Sequence, residues 1–384
     1  MIYLDSASTT AVDKELTKVI NMYLYEFYGN AGSPHKFGRT CRNVIEEARN
    51  QISHAVNVNS DGVIFTSCGS EANTLAIVGL ANHLQSLNLN HIITTKYEHH
   101  SVLNAMKEME RYGFEVTYLD VNNGVVSCDE LNEAIRDNTG LVSIMCVNNE
   151  IGSVNNIQQI YAFCKNRRIL FHSDCVQAFG TVPIDMEAMA DMITLSGHKI
   201  HAPKGIGCLC VKNKQLLSNI IYGGEQEFGL RPGTENVANI VAFGSMAQYA
   251  VENREQIFTH IEQVSMCFGA RLMKLCDENH IVYHFNSPHF RNTPKILSVR
   301  FDDVEAETLM MLLDANGVCV SAGSACSSHS TKPSHVLKAI GLTDEEARST
   351  IRISFSDYNT VEEVERAAEI IVQCILQLQH MREE

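Results

Sequence analysis

Short apolar runs alternate with amphipathic helical patterns between about residue 60 and residue 212, and this alternation constrains the fold more than any other feature. The runs are "GVIFTS", "HIITTK", "FEVTYLDV", "LVSIMCVN", "RILFHSD" and "MITLSG", and stretches such as "EANTLAIVGLANHL" and "NIQQIYAFCKNR" lie between them. Strands that alternate with helices favour a mainly parallel sheet with helices on both faces. Ligands of such sheets bind at the carboxyl ends of the strands. We therefore expect an α/β fold whose site lies just after these runs.

The length of the chain predicts two domains. It has 384 residues, of which 45% are hydrophobic, and this exceeds the size of one ordinary domain. From about residue 256 the alternation gives way to a long helical pattern, the strands "ILSVRF", "VCVS" and "TIRISFS", and an amphipathic C-terminal helix. We expect a large domain over residues 15–255 and a smaller α+β domain formed by residues 1–14 and 256–384.

Composition narrows the classes of function. The net charge of −15 argues against a nucleic-acid partner, because phosphate binding needs a positive surface. No secretion signal and no apolar run of membrane-spanning length is apparent, and the 13 cysteines are scattered, so we expect a reduced, cytoplasmic protein with no membrane partner. Cys208 and Cys210 lie in a strand-like run, and His198 and His201 precede a Pro-Gly turn. Neither pair predicts a metal site.

Two charged residues follow neighbouring runs of the predicted sheet. Asp174 ends "RILFHSD", and Lys199 follows "MITLSG". A pyridoxal phosphate site needs a lysine whose amine forms a Schiff base and a carboxylate that keeps the pyridine nitrogen protonated. A solvated lysine and a turn-capping aspartate are the ordinary interpretations of each residue alone. Their positions at adjacent strand ends favour the cofactor site.

Three further motifs offer partners for such a cofactor. "TSCGSEANTLAI" predicts a helix that starts near Ser70, where backbone amides could bind a phosphate, although the P-loop and dinucleotide patterns are absent. In "YEHHSV", His99 or His100 is a candidate for ring stacking or acid–base catalysis, and a polar strand end is the alternative. Arg231 and Arg352 are candidate carboxylate ligands.

One cysteine lies in an unusual environment. Cys326 is placed in "SAGSACSSHS", where the neighbouring small residues cannot bury its sulfur. It is either an ordinary loop residue or an accessible nucleophilic thiol, and the ten residues alone leave both interpretations open.

The motifs taken together resemble those of a known family. In order along the chain, "YLDSASTT", "GNAGSPHKFGR", "FTSCGSEANTLAI", "EHHSVL", "VNNEIG", "HSDCVQAFG", "SGHKIHAPKGIG", "RPGTEN", "GSACSS" and "TIRISFS" resemble the cysteine desulfurases of the NifS/IscS kind. These are class V aminotransferase-like enzymes of PLP-dependent transferase fold type I. The resemblance implies a mainly parallel seven-stranded sheet, a smaller α+β domain and a homodimer with its sites at the subunit interface.

The same resemblance implies roles for individual residues. Lys199 would bind pyridoxal 5'-phosphate and move protons, Asp174 would pair with its pyridine nitrogen, and Gln177 with its ring oxygen. His99 would stack on the ring and act as the acid–base catalyst. The implied phosphate ligands are Gly69, Ser70, Ser196, His198 and, from the other subunit, Thr234. The implied substrate ligands are Asn149 and Arg352, and the implied nucleophile is Cys326.

The activity that the resemblance implies is removal of sulfur from L-cysteine, which gives L-alanine and a persulfide on Cys326. The acceptor protein would serve iron–sulfur cluster assembly, tRNA thiolation or thiamine biosynthesis. A selenocysteine lyase or a class V aminotransferase is the alternative within this fold, and a sulfur-carrier or docking protein with a vestigial cofactor site is the alternative outside it. Two departures stand out: Ser70 replaces a frequent threonine, and "SFSDYNT" follows Arg352 in place of a Leu-Gly-Arg run.

Overall fold

The computed structural model describes residues 1–287, 292–323 and 333–383. Its strands are β1 (Ile2–Tyr3), β2 (Val63–Thr66), β3 (His91–Thr95), β4 (Glu115–Leu119), β5 (Thr139–Ser143), β6 (Leu170–Asp174), β7 (Met192–Ser196), β8 (Gly207–Val211), β9 (Tyr283–Phe285), β10 (Ile296–Phe301), β11 (Val318–Cys319) and β12 (Thr350–Ser354).

Its α-helices are α1 (Leu16–Asn21), α2 (Lys36–Val56), α3 (Gly69–Val78), α4 (Ala81–Ser86), α5 (His100–Arg111), α6 (Cys128–Ala134), α7 (Ile157–Asn166), α8 (Met186–Met189), α9 (Val237–Glu252), α10 (Arg254–Glu278), α11 (Ala306–Ala315), α12 (His335–Ala339), α13 (Asp344–Arg348) and α14 (Val361–Glu383). Shorter helical turns cover Met22–Glu26, Ser60–Gly62, Gly197–Lys199, Lys214–Leu216 and Gln226–Gly229.

The large sheet has seven strands in the order β2-β8-β7-β6-β5-β3-β4. Neighbours from β7 to β4 pair in parallel, and β8 runs antiparallel to both β2 and β7. Strands β2, β3, β5, β7 and β8 are buried along their whole length, which explains why they appear in the sequence as continuous apolar runs. The prediction of a mainly parallel sheet is confirmed.

Helices cover both faces of this sheet. On one face, apolar residues of α2, α7 and α9, such as Ile45, Ile160 and Phe243, pack over the strands in one core. On the other face, residues of α3, α4 and α5, such as Leu75 and Met106, form a second core. The amphipathic stretches of the sequence thus bury their apolar sides against opposite faces, as predicted.

The C-terminal part forms a third core of its own. Its antiparallel sheet has the order β12-β10-β9, and α10 packs along α14 beside it. Strand β1 pairs in parallel with β11, and Leu4 is buried in this same core with Phe268 and Phe355. We therefore propose the division of the chain into residues 15–255 and residues 1–14 with 256–384.

The segment after β1 joins the two parts at the carboxyl ends of the large sheet. The Ser6 backbone N–H donates to the carbonyl of Ser354 in the smaller part, and the Thr10 N–H donates to that of His198 in the larger part. The site predicted at these strand ends is therefore covered by the N-terminal segment. No helix in the described ranges is long and apolar enough to cross a membrane.

Candidate active site

A cavity of about 180 Å³ lies where β6 and β7 end, between the start of α3 and Arg352 of β12. It brings together ten of the residues that the sequence predicts for the site: Gly69, Ser70, His99, Asn149, Asp174, Gln177, Ser196, His198, Lys199 and Arg352. The other lining residues are Ala7, Ser8, Cys68, Asn73, Ser101, Met145 and Val176.

Lys199 lies in the helical turn that follows β7. Its Nζ donates to the carbonyl oxygens of Ala7 at 2.5 Å and of Ser8 at 2.8 Å, so the N-terminal segment holds the amine at the cavity wall. The turn requires glycine at Gly197, because a Cβ there would lie 2.8 Å from the side chain of Ile206. Lys199 is thus placed by a tight turn on one side and by two backbone carbonyls on the other.

Asp174 is a buried carboxylate whose two oxygens are both engaged. Oδ2 accepts from Asn73 Nδ2 at 2.7 Å, and Oδ1 accepts from the Val176 N–H at 3.0 Å. Asn73 Nδ2 also donates to Ser101 Oγ at 2.8 Å. Because these neighbours come from α3, α5 and the end of β6, the carboxylate has one fixed orientation.

His99 presents a neutral imidazole to the cavity. The Ser101 backbone N–H lies 3.1 Å from Nδ1, and since an N–H can only donate, Nδ1 accepts and the proton resides on Nε2. Burial lowers the pKa of His99, the charge of Asp174 opposes this effect, and the charge of Lys199 adds to it. A neutral ring of this kind can both stack on a flat ligand and exchange a proton.

The start of α3 forms the side of the cavity suited to an anion. Gly69 is the first residue of this ten-residue helix, and a Cβ there would lie 3.1 Å from Val176 and 3.6 Å from Ser196, which would fill the space between these walls. Ser196 Oγ is buried and finds no hydrogen-bond partner in the described part of the chain. Burial and the nearby Lys199 lower the pKa of His198 to about 3, so its ring is a neutral ligand at physiological pH.

Arg352 lies at the opposite side of the cavity and is fully buried. Its Nη1 donates to the Asn149 carbonyl at 2.8 Å, and its Nη2 donates to Asp5 Oδ1 at 2.9 Å and to Ser8 Oγ at 2.6 Å. Arg352 Nε and Asn149 Oδ1 are buried without a partner among the residues described. A carboxylate bound here would satisfy the remaining N–H groups of the guanidinium.

Two predicted site residues are not in this cavity. Thr234 is exposed and does not line the cavity of its own subunit. Cys326 lies outside the described residues. Described residues on both sides of it contact Arg352 or the neighbour of Asn149: the Ser321 N–H donates to the carbonyl of Arg352 at 3.1 Å, and Ser334 Oγ donates to Glu150 Oε2 at 2.5 Å.

The cavity fits pyridoxal phosphate in its chemistry. It combines an amine, a fixed carboxylate, a neutral imidazole and a helix N-terminus, which match the aldehyde, the pyridine nitrogen, the ring and the phosphate of that cofactor. Unpartnered buried atoms at Ser196 and Gln177 are further evidence that this space is built for a polar ligand. The side of the cavity at Arg352 is left for a substrate carboxylate.

Comparison with known proteins agrees with this geometry. The family model for class-V aminotransferases matches residues 2–367. The chain is 42% identical to "Cysteine desulfurase IscS" of Neisseria meningitidis serogroup C, over 99% of this chain and 93% of that protein. The chain belongs to the cysteine desulfurase family. The recognition made from the ordered motifs is confirmed.

Two solved structures are similar to this chain over almost its whole length. A structure titled "NIFS-like protein" is 33% identical with a TM-score of 0.90, and the match covers 98% of this chain and 99% of that one. A structure titled "SspA in complex with cysteine" is 34% identical with a TM-score of 0.79, over 94% and 100% of the two chains. The predicted fold, with its mainly parallel seven-stranded sheet and smaller α+β part, is confirmed.

The sequence did not reveal two residues, Asn73 and Ser8, that complete the site of this cysteine desulfurase family member. Asn73 orients Asp174, and Ser8 contacts Arg352 while its carbonyl holds Lys199. Asn73 lies one helical turn after Ser70, and Ser8 lies inside the motif "YLDSASTT", so both belong to motifs that point to the site. Their roles depend on contacts with Asp174 and Arg352, which are far from them in the sequence.

Proposed function

We propose that this chain is a PLP-dependent cysteine desulfurase that converts L-cysteine to L-alanine and leaves the sulfur as a persulfide on Cys326. The observation that carries the proposal is the convergence of Lys199, Asp174 and Arg352 on one cavity. In the overall reaction the carbon–sulfur bond of the substrate cysteine breaks and a sulfur–sulfur bond forms at Cys326. The proton that the Cys326 thiol loses supplies the hydrogen of the new C–H bond of alanine.

The cofactor site would use residues of the large sheet. Pyridoxal phosphate bound covalently at Lys199 supplies an electron sink for the electrons of the substrate. Asp174, fixed by Asn73, would keep the pyridine nitrogen protonated, and Gln177 would contact the ring oxygen. The neutral ring of His99 would stack on the cofactor and carry protons, which its Nε2–H can donate.

The phosphate would bind at the start of α3. We assign it to Gly69 and to the polar side chains around this helix end, because a buried hydroxyl without a partner lies there. These side chains are Ser70, Ser196 and His198.

The substrate would bind at Arg352 and Asn149. A two-pronged contact between a guanidinium and a carboxylate fixes the amino acid in orientation as well as in place. Cys326 must act as a thiolate to attack the substrate sulfur. The approach of Ser321 and Ser334 to Arg352 and Glu150 supports this assignment, since these residues precede and follow the segment that contains Cys326.

We also propose a homodimer in which Thr234 reaches the phosphate site of the partner. An open groove of about 970 Å³ adjoins the cavity and shares Ser70, His99 and Ser101 with it. Tyr222 at the groove is 86% exposed in the single chain, and the proposed partner subunit would cover it. The exposed position of Thr234 favours a role across such an interface.

The decisive experiment compares Cys326→Ala with Cys267→Ala, a partly exposed cysteine in α10. Purified proteins would be assayed for sulfide and alanine released from L-cysteine, and cofactor binding would be followed by absorbance near ~420 nm. We expect Cys326→Ala to keep the absorbance and lose desulfuration, and Cys267→Ala to keep both. Sulfide release at the normal rate by Cys326→Ala would refute the persulfide route.

The same samples test the alternatives. An aminotransferase would transfer the amino group to a keto acid and would not need Cys326, whereas a selenocysteine lyase would act on L-selenocysteine much faster than on L-cysteine. A carrier or docking protein would show no cofactor absorbance. The acceptor is tested by following labelled persulfide sulfur from Cys326 into candidate proteins of iron–sulfur cluster assembly, tRNA thiolation and thiamine biosynthesis.

A further inference from the structure

The described residues on either side of Cys326 meet at one buried side chain, that of Glu150. Gly323 and Ser334 lie at the two borders of the described ranges around Cys326, and both contact the carboxyl group of Glu150. Glu150 is only 2% exposed. Nothing in the proposed reaction uses its carboxyl group.

At the border that follows Cys326, the contact is a hydrogen bond between two side chains. Ser334 Oγ donates to Glu150 Oε2 at 2.5 Å. The same Oγ accepts from the backbone N–H groups of Val336 at 3.1 Å and Leu337 at 3.3 Å, and so caps the start of α12. One hydroxyl therefore joins the start of this helix to the carboxyl group.

At the border that precedes Cys326, the contact depends on glycine. Gly323 has a φ of +68°, in the left-handed region that favours glycine. A Cβ at this position would lie 2.8 Å from Glu150 Oε2 and 3.4 Å from Ser334 Cβ. Gly323, Ser334 and the Glu150 carboxyl group are therefore mutual neighbours, and a larger residue at position 323 would collide with the oxygen that Ser334 binds.

The backbone that carries Glu150 is itself fixed beside the cavity. Asn148 Oδ1 accepts from the N–H groups of Glu150 at 2.8 Å and Ile151 at 3.0 Å. The carbonyl of Asn149 accepts from Arg352 Nη1 at 2.8 Å. The position of the Glu150 carboxyl group is thus tied to the residues proposed to bind the substrate.

The contact with Ser334 does not depend on the charge of Glu150. Burial raises the pKa of Glu150, and the Ser334 hydrogen bond and the charge of Arg352 oppose this effect. A carboxylate oxygen accepts a hydrogen bond, and so does the carbonyl oxygen of a protonated carboxyl group or of a glutamine amide. Glutamine at position 150 therefore keeps the contact, whereas alanine removes it.

Each border also has a contact of its own. Ser321 and Arg352 pair through their backbones, with the Ser321 N–H donating at 3.1 Å and its carbonyl accepting at 2.5 Å. His335 Nε2 donates to the carbonyl of Glu98 at 2.9 Å. These contacts hold one border each. Glu150 contacts both borders and therefore fixes one against the other.

We propose that Glu150 is a positioning residue for Cys326: its carboxyl group holds the two borders together and so directs the thiol to the substrate sulfur. Cys326 is the third residue after Gly323, so a displacement of Gly323 reaches the thiol through a short length of chain. This inference rests on the proposed function in one respect, the role of Cys326. Misplacement of a nucleophile slows the bond-forming step without weakening the binding of substrate.

The first test examines the two borders without any need for activity. Amide hydrogen exchange of the protein with bound cofactor would be followed by mass spectrometry in peptides that contain residues 321–323 or 334–337. We expect exchange in both peptides to be about tenfold faster in Glu150→Ala and unchanged in Glu150→Gln. Gly323→Ala should also speed up exchange in the peptide that contains Ser334. Unchanged exchange in Glu150→Ala would overturn the proposal.

The second test measures sulfur transfer to Cys326. The enzyme would be mixed with L-cysteine and stopped with an alkylating reagent after set times, and the persulfide on Cys326 would be quantified by mass spectrometry. We expect Glu150→Ala to form the persulfide about tenfold more slowly, with the KM for L-cysteine changed less than about twofold. Its cofactor absorbance should be retained because Lys199 is untouched, and Glu150→Gln should keep the parent rate. A raised KM with an unchanged rate of persulfide formation would place the effect on Arg352 and overturn the proposal.

Ser334→Ala removes the same contact from the other partner. It should slow persulfide formation as much as Glu150→Ala does, and the double variant should be no slower than either single variant, because all three lack one shared contact. Thr343→Ala is the matched control, since it removes the cap of the neighbouring helix α13 at an exposed residue and should keep the parent rate. Additive losses in the double variant would overturn the shared contact.

The remaining outcomes are distinguishable. If Glu150→Ala fails to fold, Ser334→Ala, at a half-buried residue, carries both tests. If the unmutated protein forms no persulfide on Cys326, the proposed function fails, and with it the role of Glu150 in sulfur transfer. Hydrogen exchange then still decides whether Glu150 holds the two borders together.

Discussion

Glu98 allows a quantitative prediction because it is a carboxyl group with no exposure to solvent. Its Oε1 accepts from Thr95 Oγ1 and from the Met145 N–H, each at 2.9 Å, and its Oε2 lacks a hydrogen-bond partner within the described ranges. Burial raises the pKa of Glu98 to about 8, an effect that the two hydrogen bonds oppose and that the charge of Asp174 increases. Glu98 is therefore protonated in the folded protein at neutral pH.

The free energy of unfolding follows from this pKa and from the ordinary value of 4.5 in the unfolded chain. Between pH 4.5 and about pH 8, Glu98 holds a proton in the folded state and releases it in the unfolded state. The free energy of unfolding therefore falls as pH rises through this interval. Each pH unit of this interval changes the free energy of unfolding by about 1.4 kcal/mol. The loss amounts to about 3 kcal/mol at pH 7 and about 5 kcal/mol above pH 8.

The variant Glu98→Gln removes the ionisation and keeps the shape and the two accepted hydrogen bonds. We expect it to match the parent protein near pH 5 and to be more stable by about 3 kcal/mol at pH 7, as measured by urea unfolding from pH 5 to pH 8. Exposed Glu262→Gln is the control and should show no such trend. A difference between Glu98→Gln and the parent that stays constant over this pH range would refute the reasoning.

Two further predictions concern buried arginines. Arg49 makes two hydrogen bonds of 2.8 Å to the carboxylate of Glu227, with both side chains buried, so Glu227→Gln should lower the free energy of unfolding by about 3 to 5 kcal/mol. In the same urea unfolding, Glu46→Gln should change it by less than about 1 kcal/mol because Glu46 is 55% exposed, and equal losses would contradict this account. Arg352→Lys keeps the charge but loses the two-pronged contact, so the KM for L-cysteine should rise about ten- to a hundredfold in steady-state assays, whereas Arg271→Lys should leave it unchanged.

The sequence predicted the fold and most of the site because both depend on local patterns. Buried strands appear as continuous apolar runs, and the polar residues that end them, such as Asp174 and Lys199, meet at one edge because parallel strands share a direction. The roles proposed for Gln177 and His99 come from the resemblance in motif order.

Contacts between segments that are far apart in the sequence could not be predicted from local patterns. His201 and Asp357 are separated by 156 positions, and each was visible only as a minor feature: half of a histidine pair without a metal site, and part of the departure "SFSDYNT". Their pairing depends on how the C-terminal part packs against the turn after β7. No periodicity or spacing within either segment carries that information.

The place of the N-terminal segment also has a consequence for biosynthesis. Asp5 and Ser8 contact Arg352 across about 345 positions of sequence, and Ser6 pairs with Ser354. During translation the large sheet and Lys199 emerge well before Arg352, so the nascent chain can form the sheet while its first residues still lack their partners. The cavity is completed only when β12, which carries Arg352, has left the ribosome. If Arg352 binds the substrate as proposed, amino-acid binding requires a chain that has been synthesised beyond this residue.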